Sequence, residues 1–172
     1  RTDFDLSNHE NFSSKQIKYF DPVDEKKYTP YVIETSIGLD RMFLAVFSQS
    51  LNIEKLDDGT ERTVLKIPKI LASNKCAIFP LVKKDGLPEI ASSLKDQLKL
   101  KYNLIYDEKD AIGKRYRRQD AIGTPYCITI DHQTTEDNTV TIRHRDSMVQ
   151  ERIPIENIES FLSQSLDISN WL

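Results

Sequence analysis

The stretch that decides the fold is YTPYVIETSIGLDRMFLAVF, residues 28–47. Its first half alternates between apolar and polar residues, which is typical of a β-strand, and its second half repeats with the period of a helix. We predict a helix over residues 37–51, because apolar residues recur there at i, i+3, i+4, i+7 and i+8 and form one face. That face consists of Leu39, Met42, Phe43, Val46 and Phe47.

A group of polar residues lies where the predicted strand meets the predicted helix. Thr35 and Ser36 are suitable N-caps, and a helix start offers free N–H groups and a positive dipole end that suit phosphate or carboxylate. Gly38 allows a ligand to approach the backbone. Arg41 is a forked donor for phosphate oxygens, and Glu34 can pair with an ammonium group. The alternative is an ordinary capped helix whose charges are solvated.

The bulk composition restricts the class of protein. The 172 residues suit one medium domain or two small ones, and a net charge of -3 gives no general attraction to nucleic acid. No run reaches the roughly 18 apolar residues of a membrane helix, and no signal peptide is visible. Cys76 and Cys127 lie in apolar runs and are predicted to be buried thiols from a reducing compartment. Because the chain starts at Arg1, we expect a fragment of a longer protein.

The first 71 residues are expected to form a β-hairpin, a surface excursion and the start of a linker, besides the helix over residues 37–51. IKYF and YTPYVIET are predicted strands on either side of the polar turn DPVDEKK, and together they indicate a β-hairpin. Residues 52–68 are predicted to be a surface excursion with a turn at Asp58 and Gly59, and residues 66–75 are a plausible linker. We therefore predict one domain over residues 1–71 and a second over residues 72–172.

The second part of the sequence alternates between strand and helix patterns. Strands are predicted in CAIFPLV, NLIYDE, YCITID and NTVTIRHR. Helices are predicted over LPEIASSLKDQLKLKY, within AIGKRYRRQDAIGT and over PIENIESFLSQSLD. This order predicts an α/β layer with a mixed sheet.

The densest basic run is KRYRR, residues 114–118. On a helix, Lys114, Arg117 and Arg118 share a side, and Arg115 is turned away from them. Tyr116 is suited to stacking on a base and the arginines to gripping phosphate. Residues 76–172 hold 13 Lys and Arg against 15 Asp and Glu, so this half favours local recognition of a small RNA feature. The alternative is a solvated basic helix face.

The remaining polar residues predict no further site. The three histidines are scattered, without cysteines or carboxylates at ligand spacing, so the sequence predicts no metal site. Arg143, Arg145 and Asp146 are expected to form a surface ion-pair network at a strand end, where each pair contributes little.

Several of these motifs together resemble one family. YVIETSIGLDR resembles motif 3 of class II aminoacyl-tRNA synthetases, which binds ATP, and its form V-I-E-x-S-x-G-x-x-R resembles glycyl-tRNA synthetases in particular. RTDFDLSNHE resembles the segment that leads to motif 3. FPLVKKDGLPEIA, GKRYRRQDAIGTPYCITID and VTIRHRDSM resemble the anticodon-binding domain of that family. The implied fold is the end of the class II antiparallel catalytic sheet, followed by an α/β anticodon-binding domain with a mixed five-stranded sheet.

The resemblance implies roles for individual residues. Glu34 and Ser36 would line the glycine pocket, with Glu34 facing the amino group, and Gly38 would stand where the glycine and ATP sites meet. Asp40 and Arg41 would contact ATP. Arg41 would be catalytic, because it would stabilise the charge that develops as pyrophosphate leaves.

The resemblance also implies partners. The implied partner is the anticodon loop of tRNA(Gly), and glycine and ATP with Mg²⁺ would be substrates, with no tightly bound cofactor and a cytoplasmic location. The implied anticodon contacts are Arg115, Arg118, Asp120 and Thr124.

What the resemblance does not cover is equally informative. Motif 1, which builds the dimer interface, and motif 2, which binds the α-phosphate, are absent from these residues. We therefore expect a homodimeric parent ligase, a monomeric fragment and no adenylation by the fragment alone. Two rivals remain: a prolyl, threonyl or histidyl synthetase with the same C-terminal fold, or a non-catalytic module that reuses an anticodon-binding domain. The acid-x-serine of Glu34 and Ser36 favours glycine.

Overall fold

The computed structural model describes residues 2–171, which form two compact units that divide between Met42 and Phe43. The helices are α1 (Phe4–Ser13), α2 (Leu39–Ser50), α3 (Leu87–Leu98), α4 (Ile112–Ile122), α5 (His132–Asp137) and α6 (Ile158–Ser165). The strands are β1 (Tyr19–Asp21), β2 (Lys26–Tyr28), β3 (Leu51–Lys55), β4 (Glu61–Leu65), β5 (Cys76–Pro80), β6 (Leu104–Tyr106), β7 (Tyr126–Ile130), β8 (Thr139–His144) and β9 (Gln150–Pro154). None of these helices has the length and apolar character needed to cross a membrane.

The N-terminal unit contains the predicted hairpin in a shortened form. β1 and β2 pair antiparallel, with Tyr19 opposite Tyr28, and this confirms the hairpin. The prediction that the second strand continues to Thr35 is wrong, since residues 29–38 are irregular. Pro30 follows β2 closely, and its missing N–H group cannot continue a ladder of hydrogen bonds.

Helix α2 confirms the predicted helix within two residues at its start and one at its end. Its first backbone hydrogen bond runs from the Met42 amide to the Gly38 carbonyl at 3.0 Å. The predicted apolar face is largely exposed, with Leu39 exposed by 82% and Phe43 by 65%. The period therefore predicted the helix correctly, but not the burial of its face.

The predicted surface excursion is instead a regular hairpin. β3 and β4 pair antiparallel over five residues each, with Leu51 opposite Leu65, and Gly59 adopts a positive φ in the turn. Arg62 and Val64 of β4 are buried on the same side of the strand. The prediction failed because a strand that buries an arginine lacks the usual alternation of apolar and polar residues.

A mixed five-stranded sheet forms the centre of the C-terminal unit, as the resemblance implied. The strand order is β6-β5-β7-β8-β9, with β6, β5 and β7 parallel and the two last strands antiparallel. β5 and β7 are buried on both faces, which is usual when helices cover both sides of a parallel sheet. α3 and α6 pack against one face, and α4 packs against the other through Ile112 and Tyr116.

Two elements of this unit were not located in the sequence. α5 begins after Asp131, whose carboxylate accepts a hydrogen bond from the Thr134 amide at 3.2 Å and completes a capping box. β9 is the edge strand that brings the sheet to five strands. A 3-10 turn at Ile155–Asn157 separates it from α6.

The predicted domain boundary after Leu71 concerns family domains and stays a prediction. By compactness, the structure divides the chain earlier, inside α2, so the β3–β4 hairpin belongs to the same unit as the five-stranded sheet. An ion pair between Arg62 of β4 and Asp120 of α4 helps to hold the hairpin to this unit.

Both cysteines are buried free thiols, as predicted. Burial raises the pKa of Cys76 to about 12 and also raises the pKa of Cys127. Because the thiolate is the reactive form, we expect neither thiol to react with a disulfide reagent in the folded chain at mildly alkaline pH. Both are expected to react at once in strong guanidinium chloride, and fast labelling of either one under native conditions would contradict this burial.

Candidate functional site

The segment from Glu34 to Arg41 remains together at the start of α2. Glu34 and Ser36 line a common pocket of about 440 Å³ with Asp5 and Val32. Two carboxylates beside a hydroxyl suit an ammonium group, because opposite charge and hydrogen bonding both favour it. Asp5 was not predicted as a site residue, since it lies in α1 and nothing in its sequence context points to Glu34.

The three other residues predicted for this site do not line that pocket. Gly38 precedes α2, Asp40 lies in its first turn, and all three, including Arg41, are exposed. The aliphatic part of the Arg41 side chain lies over Gly38, since a Cβ added there would be 3.8 Å from Arg41 Cγ and Cδ. The arrangement leaves the charged end of Arg41 available at the positive end of a helix, which favours an anion.

The second candidate site is the basic helix α4, where the predicted helix face is only partly correct. Arg115 is turned away from the exposed side, as predicted, and is buried. Its guanidinium donates to the Pro80 carbonyl at 2.6 Å and to the Asp110 carbonyl at 2.8 and 3.0 Å. Arg115 therefore fixes the loop before α4 to the end of β5, and its assignment as an anticodon contact stays a prediction.

Arg118 makes contacts that also belong to this loop. It donates to the Asp107 carboxylate at 2.6 and 3.2 Å, to the Asp110 carboxylate at 2.9 Å and to the Lys109 carbonyl at 2.7 Å. Its side chain remains 40% exposed. Burial alone would raise the pKa of Asp107, but the hydrogen bonds from Arg118 and Lys109 lower it. Arg118 is held by its own loop, and its role as an anticodon contact stays a prediction.

The other two predicted anticodon contacts are buried in the protein. Asp120 accepts hydrogen bonds from Arg62 at 3.1 Å and from Arg143 at 2.8 and 3.1 Å. Thr124 donates to the Gln119 side-chain oxygen at 2.8 Å. Both side chains are almost fully enclosed and support α4 from within, and their assignment as anticodon contacts stays a prediction.

Tyr116 likewise faces the sheet rather than solvent. Its hydroxyl lies 2.7 Å from the Thr129 hydroxyl, its ring packs edge-on against Phe79, and Arg143 lies over it at 4.9 Å. The expectation that it stacks on a base is therefore wrong for this structure.

The expected surface ion-pair network at Arg143, Arg145 and Asp146 is also wrong, because both arginines are buried. Arg145 donates to both oxygens of Asp146, at 2.7 and 3.0 Å, and to the Gly123 carbonyl at 2.8 Å. These arginines stabilise the contact between β8 and the end of α4.

Four exposed residues of this unit, three lysines and one histidine, lie at one edge of the sheet. Lys83 and Lys84 follow β5, Lys109 follows β6 and His132 follows β7, so all four lie at the carboxyl ends of the parallel strands, where α/β sheets bind ligands. A pair between Lys83 and Glu108 at 3.3 Å joins two of these loops. Each residue follows a predicted strand within two positions, so the same rule applied to the sequence would have found them.

Two exposed cations of α4 complete the candidate RNA interface. Lys114 is exposed, and the side chain of Arg117 is 42% exposed. We define the candidate RNA interface as Lys83, Lys84, Lys109, Lys114, Arg117 and His132. Its positive charge is local, as the overall charge of the chain requires.

Comparison with known proteins identifies the part of the chain that carries this interface. The model of the anticodon binding domain family matches residues 75–165, which is more than half of the chain. The chain belongs to the anticodon-binding-domain family. The matched residues run from just before β5 to the end of α6, so they include the whole five-stranded sheet and the basic helix of this anticodon-binding domain.

Curated relatives extend the similarity beyond the anticodon-binding domain. A protein named Glycine--tRNA ligase from Clostridium beijerinckii is 50% identical over 167 residues, which cover 97% of this chain and 36% of the relative. One of the same name from Clostridium tetani shows the same identity over the same number of residues. The resemblance to glycyl-tRNA synthetases is confirmed, and the chain spans about a third of the length of the curated relatives it matches.

A solved structure confirms the fold of the anticodon-binding domain independently. Prolyl-tRNA synthetase from Cryptosporidium parvum is similar over 59% of this chain and 22% of its own, with a TM-score of 0.55 and 22% identity. At this identity the likeness concerns the fold alone, and it agrees with the predicted mixed sheet.

Proposed function

We propose that this chain is the tRNA-binding part of a glycine--tRNA ligase and reads the anticodon region of tRNA(Gly). The observation that carries the proposal is the 50% identity to ligases of that name over 97% of the chain. The rival prolyl, threonyl or histidyl activity receives less support, since the prolyl enzyme shares only the fold at 22% identity. Two free, buried cysteines fit a reducing compartment, and we propose the cytoplasm.

The candidate RNA interface supports a local mode of binding. Exposed lysines at the carboxyl edge and on α4 can neutralise phosphates of a single-stranded loop, and the loops between strands and helices can read its bases. The buried Arg115 of α4 keeps the loop before α4 in place through its bonds to the Asp110 and Pro80 carbonyls. Affinity would then fall with salt by an amount set by the few phosphates contacted.

Binding of transcribed glycine tRNA across a salt series tests this function. We expect binding that weakens when the anticodon is changed, and we expect Lys114→Ala to lower the slope of log K against log salt by about 0.7 to 0.9. Lys99→Ala is the matched control, because Lys99 is an exposed lysine that directly follows α3, outside the candidate RNA interface, and pairs with Asp96 at 2.8 Å. Binding that ignores the anticodon would overturn the proposal.

We further propose that the segment before α2 supplies part of a site for glycine and for ATP with Mg²⁺ in the complete ligase. Glu34 and Asp5 would hold the ammonium group of glycine, with Ser36 beside them, and their shared pocket supports this role. Gly38, Asp40 and Arg41 would face ATP, with Arg41 stabilising the charge on the leaving pyrophosphate. We also propose that the complete ligase is a homodimer and that this chain alone is a monomer. Sedimentation of each protein measures its oligomeric state.

Activity of a chimera tests the glycine site. The chain would replace the matching third of the Clostridium beijerinckii ligase, and glycine-dependent ATP–pyrophosphate exchange would be measured. We expect Glu34→Gln to lower the exchange at least about tenfold at limiting glycine, because a charge that pairs with the ammonium group is lost. Glu25→Gln, in the exposed turn of the β1–β2 hairpin, is the control, and equal activity of both variants would contradict the assignment.

A further inference from the structure

Three arginines from three different elements converge on one buried carboxylate. Arg62 comes from β4, Arg117 from α4 and Arg143 from β8, and all lie within 4 Å of the Asp120 carboxylate. The Asp120 side chain is only 1% exposed. A buried carboxylate in this position requires donors, because its charge is expensive to leave unpaired.

Two of the three arginines meet that requirement. Oδ1 of Asp120 accepts from Arg143 Nη1 at 2.8 Å, and Oδ2 accepts from Arg143 Nη2 and from Arg62 Nη1, both at 3.1 Å. Arg117 Nη1 stands 3.9 Å from Oδ2, which is too long for a hydrogen bond. The guanidinium of Arg117 is therefore left at the surface, in the candidate RNA interface.

Arg62 is held in place by groups other than Asp120. Its Nε donates to Glu54 at 2.6 Å, and Nη1 also donates to the Arg145 carbonyl at 3.0 Å. Its side chain is 1% exposed. The β3–β4 hairpin thus delivers a fixed, permanently charged donor to the buried oxygen that lies nearest to Arg117.

We propose that Arg62 is a positioning residue that keeps Arg117 available for an RNA phosphate, an inference that rests on the proposed function. When Arg62 is absent, Oδ2 of Asp120 loses a donor and recruits Arg117, whose guanidinium needs to move by only about 1 Å to reach hydrogen-bond distance. A guanidinium engaged by a buried carboxylate is withdrawn from the interface. The β3–β4 hairpin therefore determines whether the positive charge of Arg117 on α4 is available to RNA. The hairpin itself does not contact the RNA.

Asp58, in the turn of the β3–β4 hairpin, is an acid whose pKa is affected by the charge of Arg117. Hydrogen bonds from Thr60 are the main cause of its lowered pKa, and the charge of Arg117 contributes less. Because Asp58 is exposed and screened by solvent, it competes with RNA for Arg117 less than the buried Asp120 would.

A double-mutant cycle on the full chain tests the proposal with transcribed glycine tRNA. Arg117→Ala and Arg62→Met are each expected to lower the salt slope by about 0.7 to 0.9, and the double variant by no more than either one. Arg62→Met/Asp120→Asn is expected to restore the slope, because a neutral amide does not capture Arg117. A structural role alone would lower the folded fraction and leave the slope of the folded protein unchanged.

A crystal structure of the Arg62→Met variant provides a readout that needs no RNA. We expect Arg117 to bond Asp120 at about 2.9 Å in place of the present 3.9 Å. Arg62→Gln serves the same comparison when the methionine variant does not fold. A distance that stays near its present value, or additive losses of slope, would overturn the proposal. If the wild-type chain binds no tRNA, the proposed function fails, and the crystal structure still decides whether Arg62 controls Arg117.

Discussion

Replacing Asp120 with alanine is expected to lower the free energy of unfolding by about 3–5 kcal/mol, because it leaves the buried guanidinium of Arg143 without its counter-ion and that of Arg62 with Glu54 alone. Arg62 and Arg143 both bond this carboxylate, and both are almost fully enclosed. Burial by itself lowers the pKa of Arg143, but the bonds and charge of Asp120 outweigh it and raise that pKa. Arg143 thus stays charged at any pH at which the protein folds, and it cannot reduce the loss by releasing a proton.

Urea unfolding followed by circular dichroism measures this loss. Asp96→Ala is the matched control, because Asp96 also pairs with a cation, Lys99 at 2.8 Å, but with both side chains more than half exposed. The control is expected to leave the midpoint almost unchanged, since exposed pairs contribute little. Asp120→Asn should lie between the two, because it keeps the shape and loses the charge. A fully stable Asp120→Ala variant would mean that the three-element network does not hold the hairpin to α4.

Apart from α5 and β9, the order of strands and helices in the second half of the chain could be predicted from the sequence. Cys76–Pro80 and Tyr126–Ile130 are apolar runs of strand length, and α3 carries buried residues at helical spacing. These signals are local, because each depends only on neighbours along the chain. The family resemblance rested on equally local motifs, and the relatives confirm it.

The β3–β4 hairpin could not be predicted, because its stabilising contacts are distant in sequence. Arg62 looks like a solvated charge in the polar segment DDGTERTV, yet its partner Asp120 lies 58 residues further along. A half-buried strand is identified by apolar residues on its buried side. A charged residue on the buried side of a strand breaks this alternation of apolar and polar residues. Sequence alone gives no sign of which acid will compensate it.

The same limit applies to the burial of residues within the candidate sites. Helical spacing correctly turned Arg115 away from the exposed side of α4, but it did not reveal that Asp120 and Thr124 point into the protein. Spacing gives relative directions on a helix, while the sheet that covers one side decides which direction is buried. Asp5 was missed for a related reason, since only the folded N-terminal unit brings it to the pocket of Glu34.

Gly123→Ala is the second change expected to have a large effect, with a loss of about 2–4 kcal/mol in the free energy of unfolding. Gly123 ends α4 with φ at +83°, a conformation that costs other residues about 1 kcal/mol or more. A Cβ there would lie 3.0 Å from Ile67 Cγ2 and 3.1 Å from the Leu65 carbonyl oxygen. Since a backbone carbonyl cannot swing aside as a side chain does, overpacking adds about 1–3 kcal/mol.

Gly59→Ala separates the two contributions, because Gly59 has φ at +78° with nothing within 4 Å of the added Cβ. It is expected to lose only the conformational part, about 1 kcal/mol. Urea unfolding of both variants therefore measures how tightly the end of α4 is pressed against the segment that follows β4. Equal losses of unfolding free energy in the two variants would show that the residues around Gly123 move aside for the added Cβ without a cost. A clearly larger loss at Gly123 would show that the end of α4 is packed firmly against Leu65 and Ile67, so that the hairpin is held where Arg62 can reach Asp120.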